Sequence, residues 1–311
     1  MSVAESADPA EFDFVLNGAR VPPDGTLEER IHRIAADHGV EARIHIARHG
    51  SDLASLASRA TKGPSRTIVA GGGDGSVSAV ASAVAGTDSA LGVLPLGTLN
   101  HFAKDLKIPL DIDEAIRTAF GGRVIQVDVG EVNGRIFLNN SSLGLYPRLV
   151  HLREKQEQRG SSKWIAFARS LVAVMRHHSQ VRISLSSDEP GKTQFDTPFL
   201  FVGNNRYEIS GLHVGSRASL DGGALWVCTA PRAAPGTLLA IGVRALVNRL
   251  GTADIEMFGA KEMTISTRHR HLEVSADGEV LSLDAPLRYR IRPKALRVVV
   301  PAQAPGSAGE S

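Results

Sequence analysis

Gly71, Gly72, Gly73, Asp74, Gly75 and Ser76 put one carboxylate among four glycines, with a hydroxyl behind it. Glycine lets a backbone approach a ligand closely. Free N–H groups at a helix start attract phosphate. The run is not a P-loop, which ends in Gly-Lys-Ser/Thr. It also fails as a dinucleotide fingerprint, because Ser76 stands where the third glycine belongs. A carboxylate in an anion site makes chemical sense when a cation comes with the anion, and magnesium takes a few carboxylates plus substrate phosphates. The run therefore suits a nucleoside triphosphate and its Mg2+, with Asp74 toward the metal. Read only as structure, it is a tight strand–helix turn with an Asx-type cap.

The elements that would position these residues are legible on either side. Thr67 to Val69 reads as a buried strand and Val77 to Val84 as a helix. A second strand, Leu91 to Leu94, leads through Pro95, Leu96, Gly97, Thr98, Leu99 and Asn100 into His101-Phe102-Ala103. Thr98 and Asn100 are polar caps for the helix expected there. Two such turns on neighbouring parallel strands face each other at the carboxyl edge of the sheet, where α/β proteins bind ligands. Far downstream, Ala276-Asp277-Gly278-Glu279 separates two apolar runs, Leu272 to Val274 and Val280 to Leu283. Asp-Gly is a favoured hairpin turn, and a tight turn also holds a carboxylate rigidly.

On the motifs Gly72-Gly73-Asp74-Gly75-Ser76, Pro95 to Ala103 and Ala276 to Glu279, the chain resembles the diacylglycerol kinase and sphingosine kinase catalytic-domain family, its bacterial soluble lipid kinases above all. The resemblance runs from about Phe12 to Val300. It implies an ATP- and Mg2+-dependent lipid kinase with its active site in a cleft between an α/β domain and a β-sandwich. By that resemblance Gly71 to Ser76 cradle the phosphates, Gly97, Thr98 and Asn100 hold them from the opposite loop, and Asn17 lies near the nucleotide. Asp74 orients the metal. Asp277 is the general base toward a lipid hydroxyl, with Glu279 supporting or sharing that role. Ala218 to Leu225 corresponds to a stretch that binds a structural cation in bacterial members, which makes Asp221 a second metal residue. The chain departs from the family pattern in three places. Asn17-Gly18-Ala19-Arg20 replaces an Asn-Pro-x-x-Gly loop. Ile46-Ala47-Arg48-His49 lacks the threonine that members place at the end of the second strand. Gly222 occupies the position of the metal carboxylate, with Asp221 one residue early.

Alternation of strands and helices over the first third of the chain gives a parallel sheet covered on both faces. Thr26 and Glu29 suggest a capping box for a helix to His38, closed by Gly39. Glu41 to Ile46 alternates as a strand, Ser51 caps a helix to about Ala60, and Asp111 caps another to Phe120. After Arg123 the pattern changes. Asn133-Gly134 between alternating runs is a hairpin signal, and short strands follow from Val181 to Val300. The expected fold is an α/β N-terminal domain of the NAD kinase and phosphofructokinase type over 10–125, then a mainly antiparallel β-sandwich over 126–301 and a flexible tail over 302–311. Residues 148–178 read as a basic amphipathic helix, which suits either an anionic membrane surface or a packed helix with a solvated basic face.

Composition sets the outer bounds. The 311 residues are 42% hydrophobic and 22% charged, so two ordinary domains with proper cores are affordable. A net charge of +2 gives no general case for nucleic acid. The lone Cys228 excludes an internal disulfide framework and reads as a core residue of the strand around Trp226. The N-terminus lacks a signal-peptide pattern and no apolar run is long enough for a membrane span. The expected location is cytoplasmic, with peripheral contact at the inner face of the cell membrane. The eleven histidines show no metal-ligand spacing, and His177-His178 and Arg268 to His271 read as solvated surface. Two other functions remain at this level: an NAD kinase-like phosphotransferase, against which the absence of an Asn-Glu pair counts, and a nucleotide-binding regulatory module without turnover. The lipid acceptor and the oligomeric state, a homodimer included, stay open.

Overall fold

The computed structural model describes residues 11–144, 181–187, 193–197, 199–210, 213–217, 219–229, 256–267 and 270–302. The expected basic helix at 148–178, His177-His178, Arg268-His269 and most of the tail lie outside them. The chain divides into two compact units, residues 1–127 with 294–311, and residues 128–293. The sequence expectation was one contiguous second domain to 301. Instead the C-terminal strand returns to the first unit.

In the first unit β1 (Glu11–Asn17), β2 (Glu41–Ala47), β3 (Thr67–Gly72) and β4 (Ala90–Pro95) lie in the order β2-β1-β3-β4, all parallel. The last strand of the chain, β18 (Leu287–Val300), adds a parallel neighbour to β4 through Arg297 and Val298. Phe14, Val15, Leu16, Ile68, Val69, Ala70, Leu91 and Leu94 are all fully buried. Continuous apolar runs of this kind are what a sheet covered on both faces requires. The covering helices are α1 (Thr26–His38), α2 (Leu53–Ala60), α3 (Asp74–Val84), α4 (His101–Asp105) and α5 (Ile112–Gly121). Each turns an apolar stripe inward, such as Leu27, Ile31 and Ile34 of α1. Along the sheet the chain reverses direction of travel between β1 and β3. The carboxyl ends of those strands are therefore a switch point, where ligands bind in open α/β sheets.

Two caps differ from the sequence expectation. Helix α1 starts at Thr26, but no Thr26–Glu29 box forms. Gly25 is the N-cap, in a left-handed conformation, and the Asp24 carboxylate accepts the Thr26 N–H (3.1 Å) and hydroxyl (2.7 Å). Ser51 does not cap α2. A single 3-10 turn, Gly50–Asp52, precedes that helix, and Asp52 reaches back to the His49 N–H at 3.2 Å. At Thr26 the Asp24 carboxylate takes the backbone donor that the expected box would have used. Asp111 caps α5 as expected, accepting the Glu114 N–H at 3.0 Å.

The second unit is built from strands. One sheet has the order β14-β13-β10-β7-β16-β17, comprising Glu256–Ala260, Leu225–Thr229, Phe199–Asn204, Asn140–Gly144, His271–Ala276 and Glu279–Asp284. All its ladders are antiparallel. A second layer pairs the first half of β18 with β15 (Glu262–Ser266), then β8 (Val181–Ser187) and β9 (Thr193–Thr197), again antiparallel. Strand β5 (Arg123–Val132) turns at Asn133-Gly134 into β6 (Arg135–Phe137) and also pairs with β18. Two short strands, β11 (Tyr207–Ser210) and β12 (His213–Arg217), pair separately. One core joins the two layers, with Leu143, Leu200, Val202, Val227 and Val274 from one and Met263, Ile265, Leu287 and Tyr289 from the other. Both expected hairpins are present. Asn133 and Gly134 have φ of 46° and 81°, and Asp277 and Gly278 have 47° and 85°, the two positive values a tight two-residue hairpin needs. Cys228 lies buried in β13, where burial pushes its thiol up to about 11.

Candidate active site

The two glycine turns meet backbone to backbone. Strand β3 pairs Gly71 with Leu94 and Gly72 with Pro95. The Leu96 N–H donates to the Gly72 carbonyl at 3.0 Å. A Cβ on Gly97 would sit 2.4 Å from the Cα of Gly73, where neither chain has a side chain to move aside. Gly97→Ala is therefore expected to force the loops apart and lower Tm by several degrees, since overpacking against backbone costs about 1–3 kcal/mol. Thermal melts beside nucleotide-binding titrations check it, and an unchanged melt would mean the loops yield.

Helix α3 begins at Asp74 with Gly73 as N-cap, and no side chain caps it. Its first-turn N–H groups and positive dipole end are thus presented at the switch point, as an anion site needs. Asp74 is half-buried at the head of the helix. One carboxylate oxygen accepts the Phe102 N–H at 3.2 Å, so Asp74 caps α4 across 28 residues of sequence. The sequence had assigned that cap to Thr98 and Asn100. Asn100 instead takes a left-handed conformation (φ 50°) and spends its side chain on its own loop: Oδ1 accepts the Gly97 N–H at 3.0 Å, and Nδ2 donates to the carbonyls of Gly97 (2.8 Å) and Pro95 (3.4 Å). Its amide shapes the turn. Thr98 is exposed on the same loop. Asn17, at the end of β1, donates from Nδ2 to the Ser76 hydroxyl at 2.8 Å and accepts the Ala19 N–H at 3.1 Å. The fold thus brings Asn17, Gly71 to Ser76 and Gly97 to Asn100 to one place on the first unit.

In the second unit the Asp277 carboxylate is held by three backbone amides. Leu138 N–H reaches Oδ2 at 2.7 Å, and Asn139 and Asn140 N–H reach Oδ1 at 2.8 and 3.2 Å. The backbone that grips it is itself fixed from below. Buried Arg217 donates to the Leu138 carbonyl (2.5 Å), the Asn204 carbonyl (3.3 Å) and Asn139 Oδ1 (3.3 Å). Asn204 Nδ2 donates to the carbonyls of Leu138 (2.8 Å) and Asp128 (2.9 Å). Glu279 pairs with Ala276 across the same hairpin. Its carboxyl accepts no hydrogen bond among the described residues. Glu279 is exposed, yet the neighbouring protein partly desolvates it; that desolvation first, and then the nearby Asp277 charge, raise its pKa above the ordinary glutamate value, while Arg135 pulls the other way. Of the two carboxylates, Asp277 is the anchored one and Glu279 the one without a hydrogen-bond partner among the described residues. Sequence reasoning missed Asn139, Asn204 and Arg217. The two asparagines were signalled only by their pairing, at Asn139-Asn140 and Asn204-Asn205, and Arg217 by nothing in its neighbourhood.

The two metal expectations fare differently. Asp74 offers a carboxylate with one oxygen engaged by Phe102, beside an uncapped helix end. That donor set fits magnesium held partly by substrate phosphates. Asp221 is exposed and bonded to the Ser219 hydroxyl. Around it the Leu220 carbonyl accepts the Asp128 N–H (2.8 Å), and Asp128 Oδ2 accepts the Gly223 N–H (2.7 Å). These hydrogen bonds tie the loop to Asp128 of β5 and leave Asp221 as an exposed carboxylate at its tip. Among the described residues no group of three or more His, Cys, Asp or Glu side chains gathers as metal ligands.

Known proteins match both units. The diacylglycerol kinase catalytic domain matches residues 23–132, and the YegS C-terminal NAD kinase beta sandwich-like domain matches residues 152–300. The chain is 30% identical over 278 residues to the "Probable lipid kinase YegS-like" of Pseudomonas aeruginosa PAO1, covering 86% of this chain and 87% of that one. It is 29% identical over 289 residues to the protein of the same name from Pseudomonas syringae pv. syringae, covering 90% and 91%. A crystal structure of a diacylglycerol kinase from Bacillus anthracis Sterne shares the fold at a TM-score of 0.68 and 19% identity, over 94% of this chain and 98% of that one. By domain content and by sequence over most of its length, the chain belongs to the YegS-like lipid kinase family, and its first unit carries that family's diacylglycerol kinase catalytic domain.

Proposed function

We propose that the chain transfers the γ-phosphoryl group of ATP to the hydroxyl of a membrane lipid, diacylglycerol or a related alcohol. The observation that carries this reading is the uncapped start of α3 with Asp74 at its head, welded to the Gly97 loop. The α3 amides from Asp74 to Ser76 bind phosphate oxygens, and the Thr98 hydroxyl approaches from the second loop. Asn100 fixes that loop, and Asn17 orients the Ser76 hydroxyl. Asp74 holds Mg2+, whose contribution when bound is to neutralise charge on the phosphates. On the second unit Glu279 accepts the proton of the lipid hydroxyl as its oxygen attacks phosphorus. Asp277, locked by its three amides, fixes the hairpin, and its charge helps to hold the Glu279 carboxyl above the ordinary glutamate range, which makes it a better proton acceptor than a free glutamate. Positioning and electrostatics supply most of the rate in phosphoryl transfer, which suits a site made of backbone amides and rigid turns.

The test is purified chain with Mg2+, γ-labelled ATP and mixed micelles of lipid extract, with products separated by polarity. Label in the organic phase that disappears on chelation of Mg2+ is the expected result, and its mobility identifies the acceptor. Label confined to water-soluble products would overturn the lipid reading in favour of an NAD kinase-like acceptor. ATP binding with no labelled product across a broad lipid panel would point to a regulatory module. The proposed access to lipid is peripheral, from the cytoplasmic side; no helix among the described residues is long and apolar enough to cross a membrane.

A further inference from the structure

Six large apolar side chains are exposed among the described residues, and two of them, Leu99 (58% exposed) and Leu110 (50%), fall in one excursion of twelve residues. That excursion leaves the end of β4 and returns at the start of α5. Its inner side is ordinary core: Phe102, Ala103, Leu106 and Ile108 are buried. Its outer side is Leu99, His101, Lys104, Lys107 and Leu110, all exposed. Lys107 is in a left-handed conformation (φ 58°) that closes α4, with its N–H on the Lys104 carbonyl at 3.0 Å and the Ile108 N–H on the Ala103 carbonyl at 2.9 Å. Such a position usually holds glycine. The one acidic side chain between 99 and 110 is Asp105, which is half-buried.

Both ends of the excursion stand at the carboxyl edge of the sheet. Helices α1 and α5 run side by side in one direction, since Arg30 meets Asp113 at 2.7 Å near their starts and His38 meets Phe120 at 5.7 Å near their ends. Helix α1 follows β1 and starts at the carboxyl edge, so α5 starts there too. The outer leucines and lysines therefore border the glycine turns. Exposed apolar residues set among cations are the composition of an interfacial surface facing anionic headgroups.

We propose that the outer face of residues 99–110 is the surface by which this chain rests on an anionic phospholipid bilayer. Leu99 and Leu110 enter the interface, and Lys104, Lys107 and His101 lie against headgroup phosphates. The choice of a bilayer over a protein partner rests on the lipid-kinase reading, because the acceptor is dissolved there. The surface places the phosphate turns at the level where a lipid hydroxyl is found.

The test is co-sedimentation of the full chain with phosphatidylcholine vesicles, with and without phosphatidylglycerol. Binding should require the anionic lipid and weaken with salt. Lys104→Glu with Lys107→Glu should weaken it by about tenfold or more, since each basic residue at an anionic surface is worth about fivefold in binding. Leu99→Ser with Leu110→Ser should weaken it severalfold. A fluorophore on Leu99→Cys, selective because native Cys228 is buried, should shift to the blue on anionic vesicles only. Lys104→Glu/Lys107→Glu should still bind ATP, which shows that the variant is folded. Equal sedimentation of wild type and both double variants would overturn the proposal. So would equal binding to neutral vesicles, or a wild-type dimer that the leucine variants convert to monomer, since that face would then be covered by a second copy. Vesicle binding is read without turnover, so a chain that binds membranes but phosphorylates nothing would sink the kinase reading and leave this surface standing.

Discussion

Asp74→Asn is expected to lower phosphoryl transfer by about a thousandfold, a loss of the size seen when one electrostatic element of an active site is removed, while leaving Tm nearly unchanged. Asparagine keeps a carbonyl oxygen for the Phe102 N–H and loses only the negative charge. Asp74→Ala should lose the same activity and melt lower by a few degrees. It removes the acceptor that caps α4, and a lost cap costs about 1 kcal/mol. The pair separates the two roles of one side chain. Steady-state rates and thermal melts of both variants decide it. A fast asparagine variant would discard the magnesium role. An alanine variant that melts with the asparagine variant would discard the cap.

The second large effect divides Asp277 from Glu279. Glu279→Gln should reduce kcat by about a hundredfold to ten-thousandfold, the range for a lost general base, with Tm unchanged or slightly raised. The sign follows from its raised pKa. A carboxyl whose pKa is raised by folding contributes stability that is full below the ordinary glutamate value and is lost as pH rises through the folded value. At neutral pH the ionised glutamate is a mild burden that glutamine relieves. In wild type the rate should climb with pH through an inflection above the ordinary glutamate range, and that inflection should vanish in the variant. Asp277→Asn should behave otherwise. Its three donors come to both carboxylate oxygens, and an amide NH2 would face at least one of them. Each hydrogen bond to a charged group is worth about 1.5–3 kcal/mol, so rate and Tm should fall together. A Glu279→Gln enzyme that stays active, with Asp277→Asn inactive yet fully stable, would return the base role to Asp277.

Much of this was legible in the chain. Gly71 to Ser76 announced a strand–turn–helix unit because glycine density and β-branched residues act locally. Asn133-Gly134 and Asp277-Gly278 announced hairpins for the same reason. What stayed hidden was contact between distant segments. Nothing near Asp74 says that its carboxylate ends on Phe102, so the cap of α4 was assigned to its own neighbours. Nothing near Asp277 shows the amides of Leu138 to Asn140, because backbone donors leave no trace in residue type. Arg217 sits in a strand where an arginine would ordinarily be taken as surface, and the acceptors that keep it buried come from residues 138, 139 and 204. Asp221 shows the same limit. Its type and place suggested a cation, and nothing near it says that its loop is tied to Asp128 of β5.

Strand β18 carries a consequence for how the molecule is made. Its residues from 294 on belong with the first unit, beside β4, although more than 160 residues of the second unit are translated in between. A ribosome that has just delivered residue 127 has released four of the five parallel strands, and the open edge of β4 must wait for the far end of the message. An unpaired edge is a template for pairing with other chains, and synthesis at ~5–20 residues per second keeps it bare for many seconds. The nucleotide unit is thus the first to begin folding and the last to finish. A fragment ending at residue 127 should be aggregation-prone for want of those last residues, and a circular permutant that joins 294–302 ahead of residue 11 is the form in which that unit could be expressed alone.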